Sequence, residues 1–355
     1  MTEHPIVTRV TWSDELGKRV RTGSWEEQAV STTQCIREEI DAGRLETAAQ
    51  LVDYWMEEAK VVQVIYDSWS EGWRDFLVGA GVDAQALADE WTRLGLLLAF
   101  PDGQPFTREG RWVEIAETAG RLAHSLRAGR LTRMQAHELL ETLVEMWRQQ
   151  HDRGADLQSG LLTFTARTLG EQAIGDAYAW VLGPYLADRY EVFDIRERDY
   201  EETLERNIYL AFEAMRGHLV GPDRTGDMTV REDDDKVVLA FDPCGSGNRG
   251  QRGDGIEGSG SRSDPPYEFG VTEQEHDWAW NEKGVCYYCA HCCYALEYWP
   301  ARQWGHPIRV VDSPLHPHET VGEQPKQCTW TIYKSIDAIP DEAYERIGLS
   351  KPATS

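Results

Sequence analysis

Residues 221–247 read GPDRTGDMTVREDDDKVVLAFDPCGSG, and the character of the chain changes across them. GPDRTGD is turn chemistry, MTVRE and KVVLAF are short runs of β-prone residues, and the acidic triplet Asp233 to Asp235 between them predicts a hairpin turn. The stretch therefore marks where helical periodicity stops. It divides the chain into an all-α domain over 1–220 and a small cysteine-rich α+β domain with an antiparallel sheet over 221–345, an α+β fold class.

Upstream, from about Glu26 to Val220, apolar residues recur at helical spacing, as in Leu51, Trp55, Val62, Ile65 and Trp69, and again in Leu139, Leu143, Met146 and Trp147. Thr132 followed by Gln135 has the form of a capping box, with Leu131 as the staple residue before it. AGRL occurs twice, from Ala42 and from Ala128, each time leading into a helix that carries a tryptophan. That echo raises an internal repeat near 42–90 and 128–183; coincidence of two amphipathic helices is the alternative. FPDGQPFTREGRW from Phe100 is a turn-rich connector between the two segments.

Downstream, CGSGNRGQRGDGIEGSGSRSDPP is too long and polar for an ordinary connection, so the segment over 245–266 is expected to be a mobile lid or a ligand-holding loop. GSGNRG within it matches GxGxxG, but no helical pattern follows and no P-loop Lys-Ser/Thr is present, which argues against nucleotide binding. RVVDS and QCTWTIYK read as two further strands joined by LHPHETVGEQP.

Between loop and strands lies GVCYYCAHCCYALEYWP, residues 284–300, which holds four of the seven cysteines. Cys286, Cys289 and Cys292 form a C-x2-C-x2-C run with His291 inside it, a spacing that gathers thiolates on one side of a turn where they can share a soft or borderline metal. Cys244, where a strand meets the Gly-rich loop, is the expected remote ligand. The metal set is then Cys244, Cys286, Cys289, His291 and Cys292. Zinc is favoured by the nitrogen of His291 and by the absence of a ferredoxin-type C-x3-C-P pattern; an iron-sulfur cluster is the alternative. Cys328 alternates with Trp330 and Ile332 in a strand, which predicts simple burial.

Around the cluster, Arg249, Arg252, Ser246 and Trp299 are candidate substrate-binding residues, because a Gly-rich loop with arginines and nearby aromatics makes an anion-binding, partly apolar pocket. His316, His151 and Glu171 are candidate acid–base groups, and His306 and His318 add to the histidine content of the region. On one helix, Trp147 and His151 would share a face, and a His/Asp pair with Asp152 could turn toward the metal domain; an inter-helix polar network is the plainer reading.

A formal charge of −25 disfavours a broad nucleic-acid or anionic-membrane surface, and no apolar h-region or spanning run is present, so the expected location is the cytoplasm. There thiols stay reduced, and an odd count of seven fits a disulfide framework poorly. Expected partners are a small-molecule substrate, no nucleic acid and no membrane, with a homo-oligomer compatible.

KVVLAFDPCGSG, the cysteine segment and GEQPKQCTWTIYK, resting on Gly322, Cys328 and the strand order, resemble the small α+β domains of the 4-vinyl reductase and L-2-amino-thiazoline-4-carboxylic acid hydrolase-like group over about a third of the chain. The resemblance implies a ligand-binding domain for a small organic molecule and permits hydrolysis of a C–N or C–S bond. The residues together predict a zinc-dependent hydrolase or lyase of a small anionic substrate, or else a non-enzymatic sensor with a structural zinc or an iron-sulfur centre.

Overall fold

The structure is a computed structural model that describes residues 10–317, 319–321 and 324–353. His318, Gly322 and the first nine residues, which the readings above used, lie outside the described residues. A short hairpin, β1 (Val10–Ser13) and β2 (Lys18–Arg21), precedes the helices. Then come α1 (Trp25–Ala29), α2 (Thr32–Asp41), α3 (Leu45–Gly79), α4 (Ala84–Leu97), α5 (Trp112–Arg127), α6 (Arg133–Leu169), α7 (Gln172–Arg189) and α8 (Tyr200–Gly217).

Both AGRL copies do the same structural job. Gly43 and Gly129 take positive φ (73° and 60°), the left-handed conformation that closes α2 and α5 at no Cβ cost. Each turn then launches one of the two longest helices, 35 residues in α3 and 37 in α6. α3 packs on α5 and α2 packs on α6, so the two helix pairs are interlocked. Thr132 and Gln135 make both halves of the expected capping box at the start of α6. α3 buries Leu51, Trp55, Ala59, Val62, Tyr66, Trp69 and Trp73, a stripe at i+3/i+4 spacing that faces its neighbours.

Past Gly221 the hairpin forms as expected, with β3 (Thr229–Glu232) antiparallel to β4 (Lys236–Phe241). The sheet order is β3-β4-β8-β5, where β5 is Val310–Asp312 and β8 is Cys328–Tyr333; a separate two-stranded pair, β6 (Thr320–Val321) and β7 (Gln324–Pro325), lies in the connection. Strict alternation along β4 and β8 buries Val237, Leu239, Phe241 and Cys328, Trp330, Ile332 on one face.

The Gly-rich segment is folded against the helices. A six-residue helix, α9 (Gly247–Arg252), begins within GSGNRG and runs on through Arg252, where no helix was expected. Buried ion pairs from Arg249 and Arg262 to Asp156 of α6 hold the segment down. Local sequence missed this because Gly and Arg carry no apolar period; tertiary charge pairing with α6 selects the helix. The cysteine segment runs on as α10 (Ala290–Cys293), a π turn over Tyr294–Tyr298 and α11 (Trp299–Trp304). No helix is long and apolar enough among the described residues to cross a membrane.

Candidate functional site

Where the helical half meets the sheet, a cavity of about 100 Å3 is lined by His218, Cys244, Ser246, His291, Cys292, Arg309 and Cys328, with Trp69, Tyr185, Tyr190 and Trp330 among its apolar walls. α3, α7, α8, the turn after β4, the cysteine segment and β8 all contribute. The register pairs Phe241 of β4 with Cys328 at the start of β8, so Cys244, three residues beyond Phe241, comes beside Cys328. The Cys328 thiol donates to the sulfur of Cys244, and the backbone N–H of Asn248 donates to the same sulfur at 3.2 Å. Together with Ser246 these donors overcome the burial penalty and pull the Cys244 thiol below the ordinary thiol range, while Cys328, as donor, is pushed up. Cys244 is thus the thiolate of the pair, and Cys328 is the partner that a plain strand reading assigned to burial alone.

His218 enters from the end of α8. Trp147 of α6 donates Nε1–H to the carbonyl of Gly217 at 3.1 Å, and Gly217 leaves no room for a side chain, since a Cβ there would lie 2.6 Å from the Glu58 carbonyl oxygen of α3. These contacts pin the C-terminus of α8 between the two long helices. His151, one turn past Trp147, therefore meets His218, with Nε2 and Nδ1 3.1 Å apart. On its other side His151 Nδ1 lies 2.8 Å from Asp152 Oδ1. Tyr66 of α3 places its hydroxyl against both imidazoles and 3.1 Å from the hydroxyl of Tyr288.

The network fixes the tautomers. Burial works against charge on Asp152, but the guanidiniums of Arg224 and Arg249 and the bond from His151 hold its carboxyl well below the usual range. An ionised Asp152 accepts the His151 Nδ1 proton, His151 Nε2 then accepts from His218 Nδ1–H, and the His218 Nε2 lone pair is left for the cavity. Burial keeps both imidazoles neutral by lowering their proton affinity. The relay that ends on Asp152 orients His218 and leaves its Nε2 unprotonated.

Of the candidates read from sequence, Cys244, His291, Cys292 and Ser246 line the cavity, and His151 stands directly behind it. His291 Nε2 lies 3.5 Å from the sulfur of Cys292. Cys286 and Cys289 hydrogen-bond each other outside the cavity wall, and Cys289 fits against Gly247, whose added Cβ would sit 2.2 Å from its sulfur. Among the described residues, no group of three or more Cys, His, Asp or Glu side chains is drawn together as metal ligands.

The remaining candidates are engaged elsewhere. Arg249 is fully buried against Asp156, and Arg252 pairs with Asp242 at 2.5 Å, so neither guanidinium lines the cavity. Glu171 accepts from the backbone of Glu273 and Gln274 and contacts His276 Nε2 at 2.9 Å, which ties a loop to the start of α7. His316 bonds through its backbone N–H to Gly284, and Trp299 packs behind Tyr190. His218, Cys328, Arg309 and Tyr66 were missed, because each is brought to the site by packing of elements distant in sequence. Only one local cue existed for His218: it follows the last turn of a long amphipathic helix and precedes the change of character at Gly221.

Neither protein-family models, nor curated proteins, nor solved structures give a match to this chain.

Proposed function

We propose that this protein is an enzyme acting on a small anionic organic substrate by hydrolytic or lyase chemistry, in the cavity between the helical half and the sheet. The observation that carries the reading is the shared wall of a lowered-pKa thiol, Cys244, and an imidazole, His218, whose free lone pair is fixed by Asp152 through His151. A thiolate and a base on one partly apolar cavity are the parts that proton abstraction or covalent catalysis requires.

Zinc belongs to the proposal. The donor types suit it, sulfur from Cys244, Cys328 and Cys292 and nitrogen from His291, and these are the residues that would hold it, although among the described residues no three of them are drawn together. Bound there, zinc would supply Lewis acidity. Convergence of a third ligand is part of the proposal, since the thiols stand as a pair with neighbours. Within the chain, His218 takes a proton at Nε2, Asp152 and His151 stabilise the resulting imidazolium, and the aromatic walls exclude water. The reading places the protein in the cytoplasm, where the thiols stay reduced.

Elemental analysis of the purified protein, with Cys244→Ser beside it, tests this. Colourless protein with about one zinc per chain, lost in a Cys244→Ser variant that still unfolds cooperatively, supports the enzyme. Brown protein containing iron and sulfide would replace it with a cluster-bearing sensor.

A further inference from the structure

Arg309 is 5% exposed, and among the described residues no carboxylate comes within ion-pair distance of it. Its Nε donates to Asn207 Oδ1 at 2.7 Å and its Nη2 to the Asn207 carbonyl at 3.0 Å, while its Cζ stands 5.0 Å from the centre of the Trp330 ring. Amide oxygens and a ring face orient a guanidinium but do not neutralise it. Nη1 has no hydrogen-bond partner among the described residues, and Arg309 lines the same cavity as Cys244 and His218. Three buried arginines of this junction are paired, Arg224 with Asp152 and Asp254, Arg249 with Asp156, Arg262 with Asp156 and Glu257, while Arg189, which also lines the cavity, lies over the Tyr185 ring and is less buried than Arg309. A buried cation costs free energy unless an anion meets it, and burial accordingly draws the Arg309 guanidinium down to about 10.

We infer that Arg309 is the anion anchor of the cavity and that its ligand is a short-chain organic carboxylate, held through the guanidinium and presenting its carbon chain to the wall of Cys244 and His218. A cavity of about 100 Å3 bounds the ligand to a small molecule. The shape follows from the walls. Trp69, Tyr185 and Tyr190 offer apolar surface to the chain, which favours an anion carrying carbon over an inorganic oxyanion, and the planar guanidinium can hold a carboxylate through paired N–H···O bonds. Asn207 acts as a positioning residue, since it holds two of the three guanidinium nitrogens while leaving the charge free.

This inference rests on the reading of the cavity as the functional site, and its test needs neither turnover nor metal. Calorimetric titration of the full chain with acetate, propionate and lactate is compared with acetamide, propionamide and lactamide. Saturable binding of at least one acid, at least tenfold tighter than its amide and weakened at least tenfold in Arg309→Gln, is expected. Asn207→Asp serves as the second variant should the first not fold, because a carboxylate beside Nε occupies the charge and is expected to abolish acid binding as well. Acids binding no better than their amides, or equally well after either substitution, would overturn the assignment. Zinc content and the reactivity of Cys244 would survive that failure, so the two claims separate.

Discussion

His151 and His306 carry their cost as single residues. Burial lowers the proton affinity of both, and His306 additionally buries Nε2 without a partner. In the unfolded chain each would titrate near 6.5. Below that pH the unfolded state binds protons that the folded state refuses, so stability is complete above about 6.5 and declines as pH falls. The slope approaches ~1.4 kcal/mol per pH unit for each histidine until its folded value is reached. Urea midpoints at pH 7.5, 6.5 and 5.5 should fall in that order, in a window above most carboxylate titration. His306→Phe, which keeps an aromatic ring against Tyr200, should flatten the decline; an unchanged slope would remove His306 from the account.

At the scale of elements, the long helices matter through how closely they pass. Gly154 lies inside α6, where alanine normally gains ~1 kcal/mol of helix propensity. Here a Cβ would stand 2.6 Å from the Tyr66 ring of α3, so Gly154→Ala should instead destabilise by about 1–3 kcal/mol and push Tyr66 off the two imidazoles. Gly120 in α5 has open space around it, and Gly120→Ala should stabilise by about 0.5–1 kcal/mol. Opposite signs in thermal melts are the expected result. These elements were the most legible part of the sequence: the capping box at Thr132, both AGRL turns, the hairpin around Asp233 to Asp235 and strands β5 and β8 all follow local rules. What local rules do not contain is which helix passes which. The helix that begins within GSGNRG and the meeting of His151 with His218 depend on packing between residues 67 positions apart or more.

For the whole molecule, the junction of the two halves is an ion-pair lattice that lies behind the candidate site and reaches it through His151 and His218. Asp152 and Asp156 of α6 receive Arg224, Arg249 and Arg262, all from the C-terminal part and all buried. Removing one carboxylate strands buried guanidiniums, so Asp156→Ala should cost about 3–5 kcal/mol, with little relief from added salt because the pairs are out of solvent. Denaturation at low and high ionic strength checks both statements. Cysteine spacing foretold that FDPCGSG and the 286–293 segment would meet, and they do, with Cys289 against Gly247. It did not foretell which sulfurs would share the cavity. Register, not spacing, puts Cys328 beside Cys244, and no motif marks Arg309 as a cavity arginine held by Asn207 in place of an acid.

The proposed function requires Cys244 to be a thiolate on the cavity wall. The rate of its alkylation by iodoacetamide, followed between pH 5 and 10 with the modified peptide identified by mass, tests that directly in metal-free protein. The expected rate levels off before pH 8, and its midpoint shifts upward in Cys328→Ala, which removes the donating thiol. A midpoint at or above the ordinary thiol value of ~8.5 in the unmodified chain, or no response to loss of Cys328, would contradict it.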